Sequence, residues 1–186
     1  DRDSFVYGIA TMFKMYRYAV AGLALAFAVV TISTLATGQE KKSPVIRFYG
    51  HSLFILETTD GTKIAFDPHA IPEYAIPEDL EVDAVLISHP HNDHDRFEVF
   101  KNAEKLKKVY GAVNKGKKTE WVDVKETIKE KVKVRSVGVY HDDEQGAKRG
   151  KCAAMIVEVD GLVFCHLGDL GHKLSDEQVA AIGAVD

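Results

Sequence analysis

The sequence predicts an α/β domain dominated by strands, on three observations. Two Asp-Gly dipeptides, Asp60-Gly61 and Asp160-Gly161, each lie between apolar runs, a strong short-range hairpin signal. The run Asp83–Ser88 (DAVLIS) is short and continuously apolar, as a strand buried on both faces requires. Helices are expected at only two places, Arg96–Lys108 and Ser175–Ile182. With 46% hydrophobic and 28% charged residues over 186 positions, the composition is globular. It excludes a disordered acidic tail, a collagen-like repeat and a whole-chain membrane protein.

Taken in chain order, residues 1–38 stand outside the expected fold. Lys14 and Arg17 precede the uncharged stretch Ala19–Val30, and Ala36-Thr37-Gly38 ends it with small residues. A basic start, an apolar core and a small-residue end make a secretory signal peptide. Met15 is the expected start, and an uncleaved membrane anchor is the competing reading. As a helix, Ala19–Ala36 would span about 27 Å, marginal for a bilayer core. Either reading exports the domain, to the periplasm or outside the cell, and membrane contact is expected only through this segment. Residues 39–44 read as a linker and 45–186 as the domain.

Within the domain, Val45–Thr59 and Thr62–Asp67 flank the first Asp-Gly turn, and Ala153–Val159 and Leu162–Leu167 flank the second. Lys131–Tyr140 alternates at Val132 and Val134, then at Val137 and Val139. This slip of phase near Arg135-Ser136 predicts a bulge. Ser175, with Gln178 three residues on, is a capping box for the last helix.

All eight histidines lie at or beyond His51, and three fall between His89 and His94. Directly after DAVLIS comes His89-Pro90-His91-Asn92-Asp93-His94-Asp95, five potential metal ligands in seven residues. His89 and His91, two apart, share a face of an extended segment and can hold one ion. Asp93 and His94 follow where the chain must turn, and can point to a second ion. His141 continues the phase of Val137 and Val139, and Asp169 that of Val163, Cys165 and Leu167. These residues therefore gather at C-terminal strand ends, where α/β folds place functional groups. A closed structural zinc site is not expected, because such sites usually include cysteine.

The pattern His-x-His-x-Asp-His at His89, His91, Asp93 and His94, with His141 and Gly168-Asp169 downstream, resembles the metallo-β-lactamase superfamily. Gly50-His51-Ser52 and Asp67-Pro68 are similar to its lactonase-like branch of metal-dependent hydrolases, which includes ascorbate-6-phosphate lactonase. The resemblance implies a four-layer αββα sandwich and two divalent ions, most often zinc, with manganese or iron as alternatives. His89, His91 and His141 would hold the first ion, Asp93 and His94 the second, and Asp169 would bridge them. A hydroxide between the ions, oriented by Asp93, would attack an ester, lactone or phosphodiester. Asp67 would accept a hydrogen bond that fixes a ligand histidine, or is a plain turn aspartate before Pro68. His51 lines the cleft or is an ordinary strand histidine, and His69 and His166 read as structural. Family members supply one more histidine from a later strand, and this sequence reaches Asp186 where such a strand would begin. It is therefore expected to be partial at its C-terminus, with an incomplete second site.

The net charge is −4, and beyond residue 38 the chain has 21 basic and 26 acidic residues. Nucleic acid is thus not an expected partner, and a small-molecule substrate is. The Lys-rich stretch 101–133 is interleaved with acids and reads as solvated surface. The alternative to an enzyme is a non-catalytic metal-binding or interaction domain on the same fold. Cys152 and Cys165 are expected to be free thiols. With a two-residue turn at Asp160-Gly161, Cys165 faces Ile156, leaving Cys152 about 13 Å further along, beyond the ~7 Å that a disulfide spans.

Overall fold

The computed structural model describes residues 42–186. The export segment at residues 1–38, and residues 39–41 of the linker, lie outside the described residues. Among the described residues no helix is long and apolar enough to cross a membrane.

Eleven strands form three sheets among the described residues. The first sheet has the order β1 (Val45–Phe48), β2 (Phe54–Glu57), β3 (Lys63–Phe66), β4 (Ala84–Ile87) and β5 (Lys107–Tyr110). Its β3–β4 and β4–β5 pairs are parallel, the others antiparallel. A hairpin of β6 (Ala112–Lys115) and β7 (Lys118–Trp121) stands beside it. The second sheet is antiparallel throughout, in the order β11 (Leu162–His166), β10 (Lys151–Val159), β9 (Val132–Tyr140), β8 (Lys125–Ile128).

The period-2 alternation of strands sorts side chains into three cores. Leu56, Ile64, Phe66, Ala84 and Leu86 of the first sheet meet Val132, Val134, Ala153, Met155 and Val157 of the second. Ile55, Ala65, Val85 and Ile87 point the other way, against Phe100 and Leu106. Both faces of β4 are thus covered, which is why its sequence is continuously apolar. On the outer face of the second sheet, Val139, Cys152, Ala154 and Ile156 pack on α1 (Asp176–Ile182) through Ile182. The expected capping box is present. Ser175 accepts from the Gln178 N–H, and Gln178 accepts from the Ser175 N–H.

Three local expectations are corrected. The helix expected over 96–108 is two 3₁₀ turns, Phe97–Val99 and Ala103–Lys105, followed by β5. Its apolar residues Phe97, Phe100, Ala103 and Leu106 recur every third position, the 3₁₀ period rather than 3.6. The single strand expected over Val45–Thr59 is broken by a turn at Tyr49–Leu53, closed by Tyr49 N–H to Leu53 O at 2.9 Å. Gly50 there has φ 95°, and a Cβ would run into the Tyr74 ring, so the turn needs glycine. No bulge occurs at Arg135-Ser136, since the β9–β10 register runs unbroken from Lys133 to Tyr140. The phase slips because Val132 and Val134 face the inter-sheet core, whereas Val137 and Val139 face α1's core. Cys165 pairs with Ile156 in register, and both cysteines are free thiols.

Candidate metal centre

Parallel β3 and β4 end side by side, with Asp67 and Ser88-His89 at their C-terminal ends. Ala153 N–H donates to Ser88 O at 3.2 Å, which brings the start of β10, and so the end of β9 with His141, to the same place. The β10–β11 register carries Gly168-Asp169 back over it. A Cβ on Gly168 would crowd Cys152 Sγ and Ser88, and its φ is 55°, so glycine is what lets Asp169 approach.

Asp67 is fully buried. Its carboxylate accepts from Ser88 N–H at 2.6 Å, from Ser88 Oγ at 2.5 Å and from His94 Nδ1 at 3.0 Å. A carboxylate only accepts, so these bonds fix the donors. Ser88 gives its proton to Asp67 and must accept from His89 Nδ1, 2.9 Å away. His89 therefore offers Nε2 as an acceptor, and His94, with Nδ1 committed to Asp67, turns Nε2 toward the cluster. The same logic applies to His51. Ser52 Oγ donates to the carbonyls of Asp67 and Asp93 at 3.1 and 3.3 Å, so it accepts from His51 Nδ1 at 2.8 Å. His51 Nε2 is then also a lone pair.

These atoms converge in two groups. His89, His91 and His141 place one nitrogen each within 4.8 Å of one another, and so do the ligand atoms of His51, Asp93 and His94. Asp67, His89 and His94 form a third such group, but Asp67's oxygens are already engaged by Ser88 and His94. Between the two open groups lies Asp169, whose Oδ2 is 3.1 Å from His141 Nε2 and 3.2 Å from His94 Nε2. His94 Nε2 is off the hydrogen-bonding direction. It is the one buried side-chain nitrogen or oxygen without a partner among the described residues.

The electrostatics suit cations. Burial, and then the charge of His94, push His89 down to about 3; burial and then His141 lower His91. Burial thus disfavours the charged form of both rings, and His89 Nε2 lies 2.9 Å from His91 Nδ1 in a hydrogen bond between them. Burial pulls His94 down as well, but the carboxylates of Asp169 and Asp67 outweigh it and hold it up at about 10. That balance marks a place where positive charge is favoured, whether it is a proton or a metal ion. Asp169 is kept ionised, below the usual carboxylate range, by His94. An orphaned buried nitrogen, neutral imidazoles and a carboxylate between two donor groups fit a pair of divalent ions.

All the residues singled out in the sequence lie here, and His51 comes closer than a cleft-lining role implies, sharing a donor group with Asp93 and His94. His69 is buried, with Nε2 on Gly50 O and Nδ1 on Ile71 N–H. His166 accepts from Gly168 N–H and stacks on Phe66, so both are structural. Ser88 and Cys152 were missed. Ser88 had a signal, a hydroxyl closing an apolar strand directly before His89. Cys152 had none; its Sγ lies 3.6 Å from His89 Nδ1, and burial pushes the thiol up to about 12, so it packs as a neutral group.

A family profile described as the beta-lactamase superfamily domain matches residues 45–186. The chain belongs to this family. The two packed sheets and sparse helices are its metallo-β-lactamase fold, with 3₁₀ turns and loops in the layer outside the first sheet. The chain is similar to the UPF0173 metal-dependent hydrolase of Methanocorpusculum labreanum, 30% identical over 138 residues that cover 68% of this chain and 60% of that protein. It is also similar to the UPF0173 metal-dependent hydrolase of Thermococcus onnurineus, 31% identical over 137 residues, covering 67% and 60%. Among solved structures, one from Thermotoga maritima assigned to the Zn-dependent hydrolases of the metallo-beta-lactamase superfamily is 31% identical. It has a TM-score of 0.49 and covers 76% of this chain and 57% of that one. The chain spans about 60% of the length of the curated relatives it matches.

Proposed function

We propose that this chain carries the reaction centre of an exported, metal-dependent hydrolase acting on a small ester, lactone or phosphodiester. The observation that carries the reading is Asp169 Oδ2, about equally distant from His141 and His94, between two groups of three ligand atoms. His89, His91 and His141 would hold one ion, His51, Asp93 and His94 the other, and Asp169 would bridge. When bound, such ions polarise a carbonyl or phosphoryl oxygen and bring the pKa of water from 15.7 to about 7. Asp67, through Ser88 and directly, keeps His89 and His94 in the tautomer that offers Nε2. Asp93, with its side chain half exposed, would orient the attacking water and pass its proton to the leaving oxygen. The names of the relatives, metal-dependent hydrolases, support the reaction class. The basic, apolar and small-residue pattern of residues 14–38 supports export.

The test is metal per chain and hydrolysis of a panel of activated esters, lactones and phosphodiesters, for the wild type and for His91→Ala and Asp93→Ala. Loss of metal and of hydrolysis in both variants is expected. Unchanged metal content in both sinks the site, and metal retained without any hydrolysis favours a non-catalytic binding domain.

A further inference from the structure

The loop between β11 and α1 carries His172, which belongs to neither donor group. Among the described residues no strand pairs with the outer edge of β9 beyond Arg135, since β8 covers only Val132–Arg135. The segment that follows Asp169 takes that edge instead. Gly171 N–H donates to Tyr140 O at 3.0 Å, and Tyr140 N–H donates to His172 Nε2 at 3.0 Å. Further along, Gln178 Nε2 donates to Gly138 O at 2.9 Å. Tyr140 is therefore gripped at both of its backbone polar groups.

The imidazole suits this use. An amide N–H only donates, so Nε2 must accept, and the proton of the neutral ring sits on Nδ1. There it donates to Lys173 O at 2.8 Å. The ring is half-buried and meets the Tyr140 ring edge-on, with centroids 5.4 Å apart. Both ring nitrogens are engaged, so His172 could reach an ion only by letting go of Tyr140.

What the grip sets is a distance. Tyr140 directly precedes His141, and His172 lies three residues past Asp169. His141 Nε2 and Asp169 Oδ2 are 3.1 Å apart, although they follow different strands, β9 and β11. Leu170 packs into the core beneath α1, which holds the loop down but has no direction of its own. Hydrogen bonds are directional, and the pair at Tyr140 fixes where the loop stands along β9.

We propose that His172 is a positioning residue for the metal centre. By accepting the Tyr140 N–H it sets the spacing of His141 and Asp169, and with it the affinity for the ion that His141 would hold. The ion belongs to the metal-centre reading, on which this rests; the grip on Tyr140 does not depend on it.

The test uses the full chain as wild type, His172→Leu and His172→Gln. Leucine keeps apolar bulk without an acceptor, whereas the glutamine Oε1 restores one. Zinc is titrated into each chelated protein by calorimetry, with urea unfolding in parallel, and hydrogen exchange of the Tyr140 amide is measured without metal. The expected result is about tenfold weaker zinc binding in His172→Leu, confined to the class of site that His141→Ala removes, with recovery in His172→Gln. Tyr140 exchange should be faster in His172→Leu and slow again in His172→Gln. Unchanged zinc affinity in His172→Leu would overturn the proposal even where urea stability falls, since His172 would then be structural only. Weakening that His172→Gln does not recover would overturn it too. If His172→Leu does not fold, His172→Gln decides, with near-wild-type zinc affinity supporting the proposal and a loss overturning it. If the wild type binds no zinc, the metal reading fails and Tyr140 exchange judges the grip by itself. Slow exchange in the wild type and fast exchange in His172→Leu would keep the grip, and equal exchange in the two would remove it.

Discussion

The two donor groups lie side by side but are made differently. His89 lies two residues past the end of β4 and His141 directly follows β9, and both are buried. Their positions are inherited from the sheets, and His91 is bracketed by them. The second group is made of turns. His51 sits at φ 47° in the break between β1 and β2, the Asp93 side chain is half exposed, and only His94 is fully enclosed. A left-handed, non-glycine backbone is one that the surroundings must enforce. Ser52 does so here, tying that turn to the carbonyls of Asp67 and Asp93. The first group is therefore prepaid by core packing, the second by a few polar contacts. Their metal affinities should differ in the same direction.

The residue that joins the two groups gives the largest effect. Asp67→Ala removes the acceptor for Ser88 and His94 in a fully buried place. Removing one partner of a buried, hydrogen-bonded charged pair is expected to destabilise the fold by about 3–5 kcal/mol. Urea unfolding measures this. A loss below about 1 kcal/mol would mean that water replaces the carboxylate and that Asp67 does not organise the site.

The next effect separates the groups. Isothermal titration of chelated protein with zinc is expected to show two classes of site. His141→Ala should remove the tighter class and His51→Ala the weaker, each about one equivalent per chain. Two classes lost together in either variant would show the groups to be one cooperative unit. Retention of both in His51→Ala would return His51 to a lining role.

How far each group was legible in the sequence follows the same division. His89, His91 and His141 could be placed because strand phase carries a side chain's direction past the strand end. His51 could not, since nothing local reveals that Tyr49–Leu53 turns rather than continuing an apolar strand. The Tyr74 ring packs over Gly50, a contact across 24 positions of sequence. The stretch from Arg96 suggests a helix for a similar reason. Its composition suits one, but its apolar residues recur every third position, and β4 takes Lys107–Tyr110 as a parallel neighbour. The bulge expected in β9 was a correct reading of a phase change with the wrong cause, since a cover on each face produces the same pattern as an extra residue. Both Asp-Gly hairpins and the capped helix were legible because their determinants are local.

Gly171→Ala tests whether the first group depends on backbone as well as side chains. A Cβ there would run into the backbone of His141 and Asp142, which cannot rotate away as a side chain would. Overpacking of this kind is expected to destabilise by about 1–3 kcal/mol. It should also weaken the tighter zinc class, because His141 and the Asp169 loop must part. Weakening confined to the other class would contradict the assignment of His141.

The smallest effect belongs far from both groups. α1 covers the outer face of the second sheet and touches the site only through the strands beneath it. Its last carbonyls, Ala181 O and Ile182 O, accept from Arg135 of β9 at 2.7 and 2.5 Å, and its first turn is held by Ser175. Ser175→Ala leaves one exposed N–H without its cap and is expected to lower stability by about 1 kcal/mol, with both zinc classes unchanged. Because β9 ends at Tyr140, directly before His141, a change in the tighter class here would mean that the sheet transmits helix docking to the ligand. The strand-built group would then be the more easily perturbed of the two, reversing the contrast drawn from burial.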